Sequence, residues 1–394
     1  MLYNLKQIKP LDFKGKTVLL RCDLNVPFDD NNTLLDDTRI TSLLPTIKFL
    51  MEKGAKLILA SHFGRPKGKP DAKLSLARLI PYLEEYCGIA VIFIADILSQ
   101  ESSKIIKQAD GKKLLLLENL RFYKEEEDND KEFAQQLSQL ADIYINDAFS
   151  CCHRKHSSID SITEFMPSYP GLLLEKEVKI LSNVLSFNKT PFTLIIGGKK
   201  ISTKISVLKS LIDKVDKIII AGAMANNFLK ALGYEIGNSF YESNFIQEAK
   251  TFYDKHKGKI MLPCDFVGKD KNNKSFTKDL SDIAEGDCIL DIGVSSCEQI
   301  LGIIKTSKTV IWNGPIGFYE NAQYAVSSIY IARAIAYFTK HGNLTSIIGG
   351  GDAAAVAKMS GLGHYFSYIS TGGGAFLEFL EKDDLIGLKN LRNE

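Results

Sequence analysis

Apolar residues along the chain gather into short β-branched and leucine-rich runs, separated by longer stretches with helical spacing. The runs Thr17–Leu20, Lys56–Ala60, Val91–Ile94, Lys113–Leu117 and Asp142–Asn146 read as strands. Their near-continuous hydrophobicity is what parallel strands covered on both faces require. Helices are predicted between them, for example over Thr38–Lys53 and Leu74–Glu85. After Pro170 and Gly171 the pattern predicts a helix over Leu172–Leu185 with no strand directly before it, a connector. Alternation then resumes with strands at Phe192–Ile196, Lys217–Ala221, Lys259–Leu262, Cys288–Asp291, Thr309–Trp312, Ser346–Ile348 and Tyr365–Ser370. The polar, lysine-rich stretch Lys269–Lys278 reads as a solvated hairpin or loop. The fold class is therefore α/β, two doubly wound parallel-sheet domains joined by a helix.

Composition changes this picture little. The 394 residues are 45% hydrophobic and 24% charged, room for two cores, and 49 basic against 47 acidic residues leave a formal charge of +2. No polybasic nucleic-acid surface is indicated. Runs such as Leu114–Leu117 and Ile218–Ile220 fall far short of the roughly 20 residues a membrane span needs. Met1–Pro10 lacks the apolar core of a secretion signal, and the seven cysteines show no C-x-x-C spacing. A cytoplasmic protein, with no nucleic-acid or membrane partner, is expected.

One count matters more. Eight arginines among 49 basic residues leave 49 − 8 = 41 lysines, so each arginine is worth inspecting. Arg21, Arg65, Arg121 and Arg154 each follow a strand-like run or its loop, and Arg39 opens a helix. In open parallel sheets ligands bind outside the carboxyl ends of the strands. After the first strand comes Arg21-Cys22-Asp23-Leu24-Asn25, placing Arg21, Asp23 and Asn25 on one face. Ser61-His62-Phe63-Gly64-Arg65, Glu118-Asn119-Leu120-Arg121 and Asn146-Asp147-Ala148-Phe149-Ser150, continuing to Arg154, follow later strands. Guanidinium forks match carboxylate and phosphate oxygens, so the rim predicts a small polyanionic ligand. The alternative is that these arginines pair with Asp23, Glu118 and Asp147. His153 and His156 read as surface residues and Trp312 as core.

Strand ends in the second half are glycine-rich: Gly197-Gly198-Lys199-Lys200, Ala221-Gly222-Ala223, Asn313-Gly314-Pro315, Gly349-Gly350-Gly351-Asp352 and Thr371-Gly372-Gly373-Gly374. Glycine lets backbone N–H groups approach an anion, and a helix amino terminus behind it adds a favourable dipole. Lys200 and Lys204 are expected at i, i+4 on one helix, both facing a polyphosphate. Asp352 suits magnesium, which takes one or two carboxylates plus phosphate oxygens. No P-loop motif occurs. Gly349, Gly351 and Ala354 match a weak dinucleotide pattern, but Ser370 and Thr371 stand where an acidic ribose partner belongs.

At these residues the chain resembles the phosphoglycerate kinase family. R-C-D-L-N-V-P, S-H-F-G-R-P, E-N-L-R-F, N-D-A-F with H-R-K-H-S-S, G-G-K-K-I, L-P-C-D-F-V, W-N-G-P-I-G, G-G-G-D and S-T-G-G-G-A occur in the family's order. The resemblance implies two Rossmann-like domains with a connecting helix and hinge: 1–170 for 3-phosphoglycerate, 171–186 between domains, 187–378 for the nucleotide, and 379–394 returning to the first domain. It implies reversible phosphoryl transfer between ATP and 3-phosphoglycerate, giving ADP and 1,3-bisphosphoglycerate, by a monomer that uses Mg2+ and closes on its ligands. Asp23, Asn25, Arg39, His62, Arg65, Arg121 and Arg154 then correspond to the phosphoglycerate site. Lys200, Lys204, Asn313, Glu320, Gly349, Gly350, Gly351, Asp352 and Ala353 correspond to the nucleotide side, with Gly372 and Gly373. Arg39, Lys204, Gly350 and Gly373 are the residues implied in the transfer itself, and Asp352 in holding the metal.

Several positions depart from the family's pattern. Ala353 stands where a small hydroxyl residue is usual, Phe376 where Ser is usual, and Ala221–Asn226 reads A-G-A-M-A-N for the commoner G-G-G-M-A-F. Lys199 and Thr203 replace common Ala and Asp, and Ser150, Cys151 and Cys152 fill the small positions before His153. Most cluster on the nucleotide side, so a non-catalytic relative that binds one ligand is the first rival; a dinucleotide oxidoreductase is the second.

Overall fold

The computed structural model describes residues 4–187 and 189–393, and the chain divides into two compact units. One runs to Ser182 and takes in the chain again from Asp384; the other is Asn183–Asp383. The division falls inside the helix Leu172–Phe187. Where the chain returns, Gly387 N–H donates to the carbonyl of Cys152 (2.8 Å) and Lys6 N–H to that of Leu391 (2.9 Å).

The first unit holds β1 (Thr17–Arg21), β2 (Lys56–Ala60), β3 (Val91–Ile94), β4 (Leu114–Leu117), β5 (Ile143–Asn146) and β6 (Ser168–Pro170). They form one parallel sheet in the order β3-β4-β2-β1-β5-β6. Alternate residues of a strand point to opposite faces, and both faces here are covered. Leu20, Leu57, Leu59 and Leu116 enter one core with Ile40, Leu43 and Ile47 of the helix Thr38–Glu52. Leu19, Ile58, Leu115 and Leu117 enter the other with Phe133 and Leu137 of the helix Lys131–Ser138. That double burial is why the runs read as continuously apolar.

Two expectations need correcting here. The helix expected over Leu74–Glu85 is instead two 3-10 turns, Ala72–Leu74 and Leu76–Leu79, then a helix Ile80–Cys87. Ser75 is extended between the turns, and its hydroxyl donates to Glu118 (2.6 Å), which breaks the helical path. β6 was not anticipated, being only three residues long and ending in a proline that an edge strand tolerates.

The second unit holds β7 (Phe192–Ile196), β8 (Lys217–Ile220), β9 (Ile260–Met261), β10 (Asp265–Lys269), β11 (Ser275–Asp279), β12 (Cys288–Ile292), β13 (Thr309–Asn313), β14 (Thr345–Gly349) and β15 (Tyr368–Ile369). Six of them make a parallel sheet in the order β15-β14-β13-β7-β8-β9. β12 is not among them. It pairs antiparallel with β10, which also pairs with β11. The polar stretch is thus a hairpin, turned by Asp270, whose carboxylate accepts from the N–H groups of Asn272 and Lys274. The strand expected over Tyr365–Ser370 shrinks to Tyr368–Ile369 because Gly363–Tyr365 winds into a 3-10 turn. Trp312 is fully buried, and its indole N–H donates to the Gly314 carbonyl (2.7 Å). No helix among the described residues is long and apolar enough to cross a membrane.

The chain crosses to the other side of its starting strand between β1 and β5 in the first sheet and between β7 and β13 in the second. A crevice opens at such a point, outside the carboxyl ends of the strands.

Candidate active site

In the first unit, Asp23 lies just past β1. It accepts from Asn25 N–H (3.0 Å), from the Ser150 hydroxyl past β5, and from Arg39, whose Nη1 is 3.0 Å from Oδ2. The same Nη1 donates to the Asn25 carbonyl (2.7 Å), while the Asn25 side chain accepts from Gly64 N–H (2.9 Å). Arg121 donates through Nη1 to the Gly64 carbonyl (2.8 Å), and its Nε lies 3.1 Å from Glu127. Among the described residues Arg154 spends only Nε, on His153 (3.3 Å). Arg65 is exposed and has no partner among the described residues. Arg39, Arg154 and Arg65 therefore keep unspent donors at the carboxyl ends of one sheet, an arrangement that calls for oxyanions.

The arginine–carboxylate alternative holds only in part. Asp23 takes Arg39, but Glu118 is satisfied by Ser75, Leu76 N–H and Asn119 N–H. Asp147 accepts from Leu174 N–H. Burial pushes the Asp147 carboxyl up to about 6.

Arg21 departs from the expected face. It is 1% exposed, with Nε donating to Ser158 (2.8 Å) and Nη1 to the Cys22 carbonyl. Ser158 in turn donates to the fully buried Glu126 (2.6 Å). Arg21 thus supports the floor of the pocket rather than its surface. His156 is likewise buried, not superficial, with Nδ1 3.7 Å from Glu126. Burial, reinforced by Arg21, Arg121 and Arg154, pushes its pKa down to about 3. His62 is also buried, and desolvation with Arg21, Arg121, Arg154 and Arg39 holds its pKa well below the ordinary imidazole value. It is a neutral ring among cations.

In the second unit, Lys204 sits at the reversal point itself. Its ammonium donates to the carbonyl of Gly197, just past β7, and approaches that of Asn313 at the end of β13 (3.5 Å). Burial, partly opposed by Asp352, pushes its pKa down to about 8. Lys200 does not share a helix with it: Lys200 is extended and exposed, and Lys204 ends the 3-10 turn Ile201–Thr203 before the helix Ile205–Leu211 starts. The helix terminus expected behind Gly197-Gly198 is that short turn, and its Ser202 N–H already goes to Glu242 (2.9 Å). Gly197 itself is obligatory, since a Cβ there would stand 2.1 Å from the Pro315 carbonyl oxygen.

Two of the other glycine turns open onto regular helices. Gly350, at φ 93°, precedes the helix Gly351–Met359; Asn313 donates from Nδ2 to the Gly349 carbonyl (2.7 Å). Asp352 is exposed in the first turn and accepts from the Tyr319 hydroxyl (3.2 Å). Gly373, at φ 52°, precedes the helix Gly374–Lys382. Ala353 and Phe376 are fully buried, and the Phe376 ring packs where a Gly349 side chain would be.

A cavity of about 390 Å³ lies beside these turns, lined by Phe240, Leu290, Pro315 and Phe318 among others, with Lys199, Asp291, Glu320 and Asp352 as its charged residues. An apolar cleft with few polar groups suits a flat heterocycle. Of the residues expected on the nucleotide side, Glu320 and Asp352 line it, whereas Lys200, Lys204, Asn313, Gly349, Gly350, Gly351, Ala353, Gly372 and Gly373 do not. Phe240, Leu290 and Phe318 were missed, although the L-D pair ending the predicted strand Cys288–Asp291 was a signal. Among the described residues no three metal-ligating side chains gather. The Asp352 carboxylate fits Mg2+ held largely by nucleotide phosphate oxygens.

Oxyanion donors at the reversal point of one sheet, and a buried ammonium at that of the other, suit a phosphotransferase. Residues 8–383 match the family model described as phosphoglycerate kinase. The chain is 46% identical over 394 residues to the phosphoglycerate kinase of Wolbachia pipientis subsp. Culex pipiens, covering 98% of this chain and 99% of that one. It is 42% identical to that of Clostridium botulinum strain Hall, covering 100% of both. The solved phosphoglycerate kinase of Coxiella burnetii superposes with a TM-score of 0.84 at 33% identity, and that of Pyrococcus horikoshii with 0.86 at 28%, each covering 98% of both chains. The chain belongs to the phosphoglycerate kinase family, and its activity is that of a glycolytic phosphotransferase.

Proposed function

We propose that the arginine-lined crevice of the first unit binds 3-phosphoglycerate or 1,3-bisphosphoglycerate, and that the second unit binds ATP or ADP with Mg2+. The observation that carries this reading is the distribution of spent and unspent donors. Arg21 is consumed by the protein, whereas Arg39, Arg65 and Arg154 retain free nitrogens where a ligand would enter. Asp23 and Asn25 hold Arg39, and Asp23 offers acceptors to a substrate hydroxyl. Arg65, Arg121 and Arg154 serve the phosphate, and neutral His62 adds an N–H donor. In the second unit the base enters the apolar cleft, Glu320 lines it, and Asn313 and the glycines Gly349, Gly350 and Gly351 shape the turn under the phosphates.

Phosphoryl transfer needs positioning and charge neutralisation, not a side-chain nucleophile. Lys204 and Arg39 neutralise the transferring group, and the N–H groups after Gly350 and Gly373 face its oxygens. Asp352 would hold Mg2+, which neutralises phosphate charge when bound. We read the transfer as in line, after the two units close on their ligands. Small-angle scattering should then show compaction when both ligands are present; compaction with nucleotide alone would oppose this reading. The chain is read as monomeric and cytoplasmic.

The direct test is a coupled assay with 3-phosphoglycerate, ATP and Mg2+, beside Asp352→Ala. Turnover in the native chain, reduced about 10²-fold or more in the variant, is expected. Equal turnover in both would remove the metal role from Asp352.

A further inference from the structure

Cys151 lies under the crevice of the first unit and is 1% exposed. Its sulfur is 3.8 Å from His62 Nδ1, 3.8 Å from Arg21 Nη2 and 3.7 Å from Ser150 Oγ. His62 is 3% exposed, and its other nitrogen, Nε2, has no hydrogen-bond partner among the described residues. We propose that Cys151 is a positioning residue that fixes His62 as the Nε2–H tautomer, so that a neutral ring presents an N–H donor to the phosphoglycerate.

A guanidinium only donates, so toward Arg21 the sulfur is the acceptor. Ser150 gives its hydroxyl proton to the Asp23 carboxylate. The thiol proton then has two acceptors within reach, the Ser150 oxygen and the imidazole nitrogen. Arg21, by donating to the sulfur, strengthens the thiol as a donor, and the imidazole nitrogen is the more basic of the two acceptors, so the S–H goes to an unprotonated Nδ1. The ring faces Arg21, Arg39, Arg121 and Arg154, so the neutral form persists and the tautomer, not the charge, sets what His62 can do. With Nδ1 occupied as acceptor, Nε2 carries the hydrogen. The opposite tautomer would offer a lone pair to an anion and repel it.

This proposal rests on the reading of the crevice as the phosphoglycerate site, and the test separates the two. Two-bond 1H–15N correlation spectra of the ligand-free protein report the His62 tautomer directly. Nε2–H is expected in the native chain and in Cys151→Ser, which keeps a hydroxyl donor, while Cys151→Ala should show a mixture. An Nδ1–H ring in the native chain, or an unchanged spectrum in Cys151→Ala, would overturn the proposal. The native spectrum needs no variant, so a misfolded Cys151→Ala does not shield it. At the level of turnover, the KM for 3-phosphoglycerate should rise about 3- to 10-fold in Cys151→Ala, the size of one modest hydrogen bond, with kcat little changed and Cys151→Ser restoring it. His62→Gln, whose amide nitrogen replaces Nε2, should keep a lower KM than His62→Asn. An Nε2–H spectrum with a KM indifferent to all of these would instead overturn the assignment of the crevice to phosphoglycerate.

Discussion

At the scale of single residues, the chain's chemistry depends on which donors the protein has already used. Arginine is scarce in the sequence, and its positions after strands marked the pocket, but the code could not separate Arg21 from Arg39. Arg21 ends an apolar run and Arg39 opens a helix; one is spent on Ser158 and Cys22, the other keeps most of its fork. The difference comes from Ser158 and Glu126, more than a hundred residues away, meeting Arg21 through the fold. Lys204 shows the same logic for lysine. Its burial holds the pKa near about 8, against an ordinary value of 10.5. Between those two pH values the unfolded chain binds the extra proton, so Lys204 makes stability rise with pH across that window. In the ligand-free protein, urea midpoints measured from pH 8 to 10 should rise more steeply in the native chain than in Lys204→Met. The same variant should lower kcat about 10²- to 10³-fold at pH 7.5. A variant with native turnover would remove Lys204 from the transfer step.

At the scale of elements, the carboxyl termini of strands are coupled to the helices that follow. Asp147 stands just past β5 and accepts from Leu174 N–H (2.9 Å) in the first turn of the helix Leu172–Phe187, so it acts as a cap from outside the helix. Its carboxyl is raised from 3.8 to about 6 by burial, so between those pH values the folded chain binds more protons than the unfolded one. Its contribution to stability is fully present below about 3.8 and is lost as pH rises through about 6. Asp291, raised to about 6 for the same reason, adds a second contribution of the same sign. Asp147→Asn keeps an acceptor for Leu174 and should flatten, without abolishing, this part of the stability profile in denaturant titrations between pH 4 and 7. An unaltered profile would mean Asp147 titrates like an exposed carboxylate. Element boundaries also show where local signals fail. The helical pattern at Leu74–Glu85 was broken by Ser75 bonding to Glu118, a contact no local pattern contains.

At the scale of the whole molecule, each unit has its own buried core and its own crevice. Each ligand should therefore stabilise its own unit by mass action, by about 2.7 kcal/mol when present at 100 times its dissociation constant. Scanning calorimetry should show 3-phosphoglycerate acting on the first unit and MgADP on Asn183–Asp383, and the unit-specific assignment can be made by limited proteolysis during heating. Protection of the second unit by 3-phosphoglycerate alone would contradict the division of labour. The sequence by itself determined the alternation of strands and helices, because burial on both faces of a parallel sheet forces continuous apolar runs. It also determined the motif residues at strand ends, since forked cations and glycine turns suit anion binding. Only the tertiary structure decided that β12 leaves the parallel sheet for β10, that Lys200 and Lys204 part company, and that Phe240, Leu290 and Phe318 share one wall. Those outcomes depend on contacts between distant segments, whose energies no local pattern records, and the same is true of the thiol beneath His62.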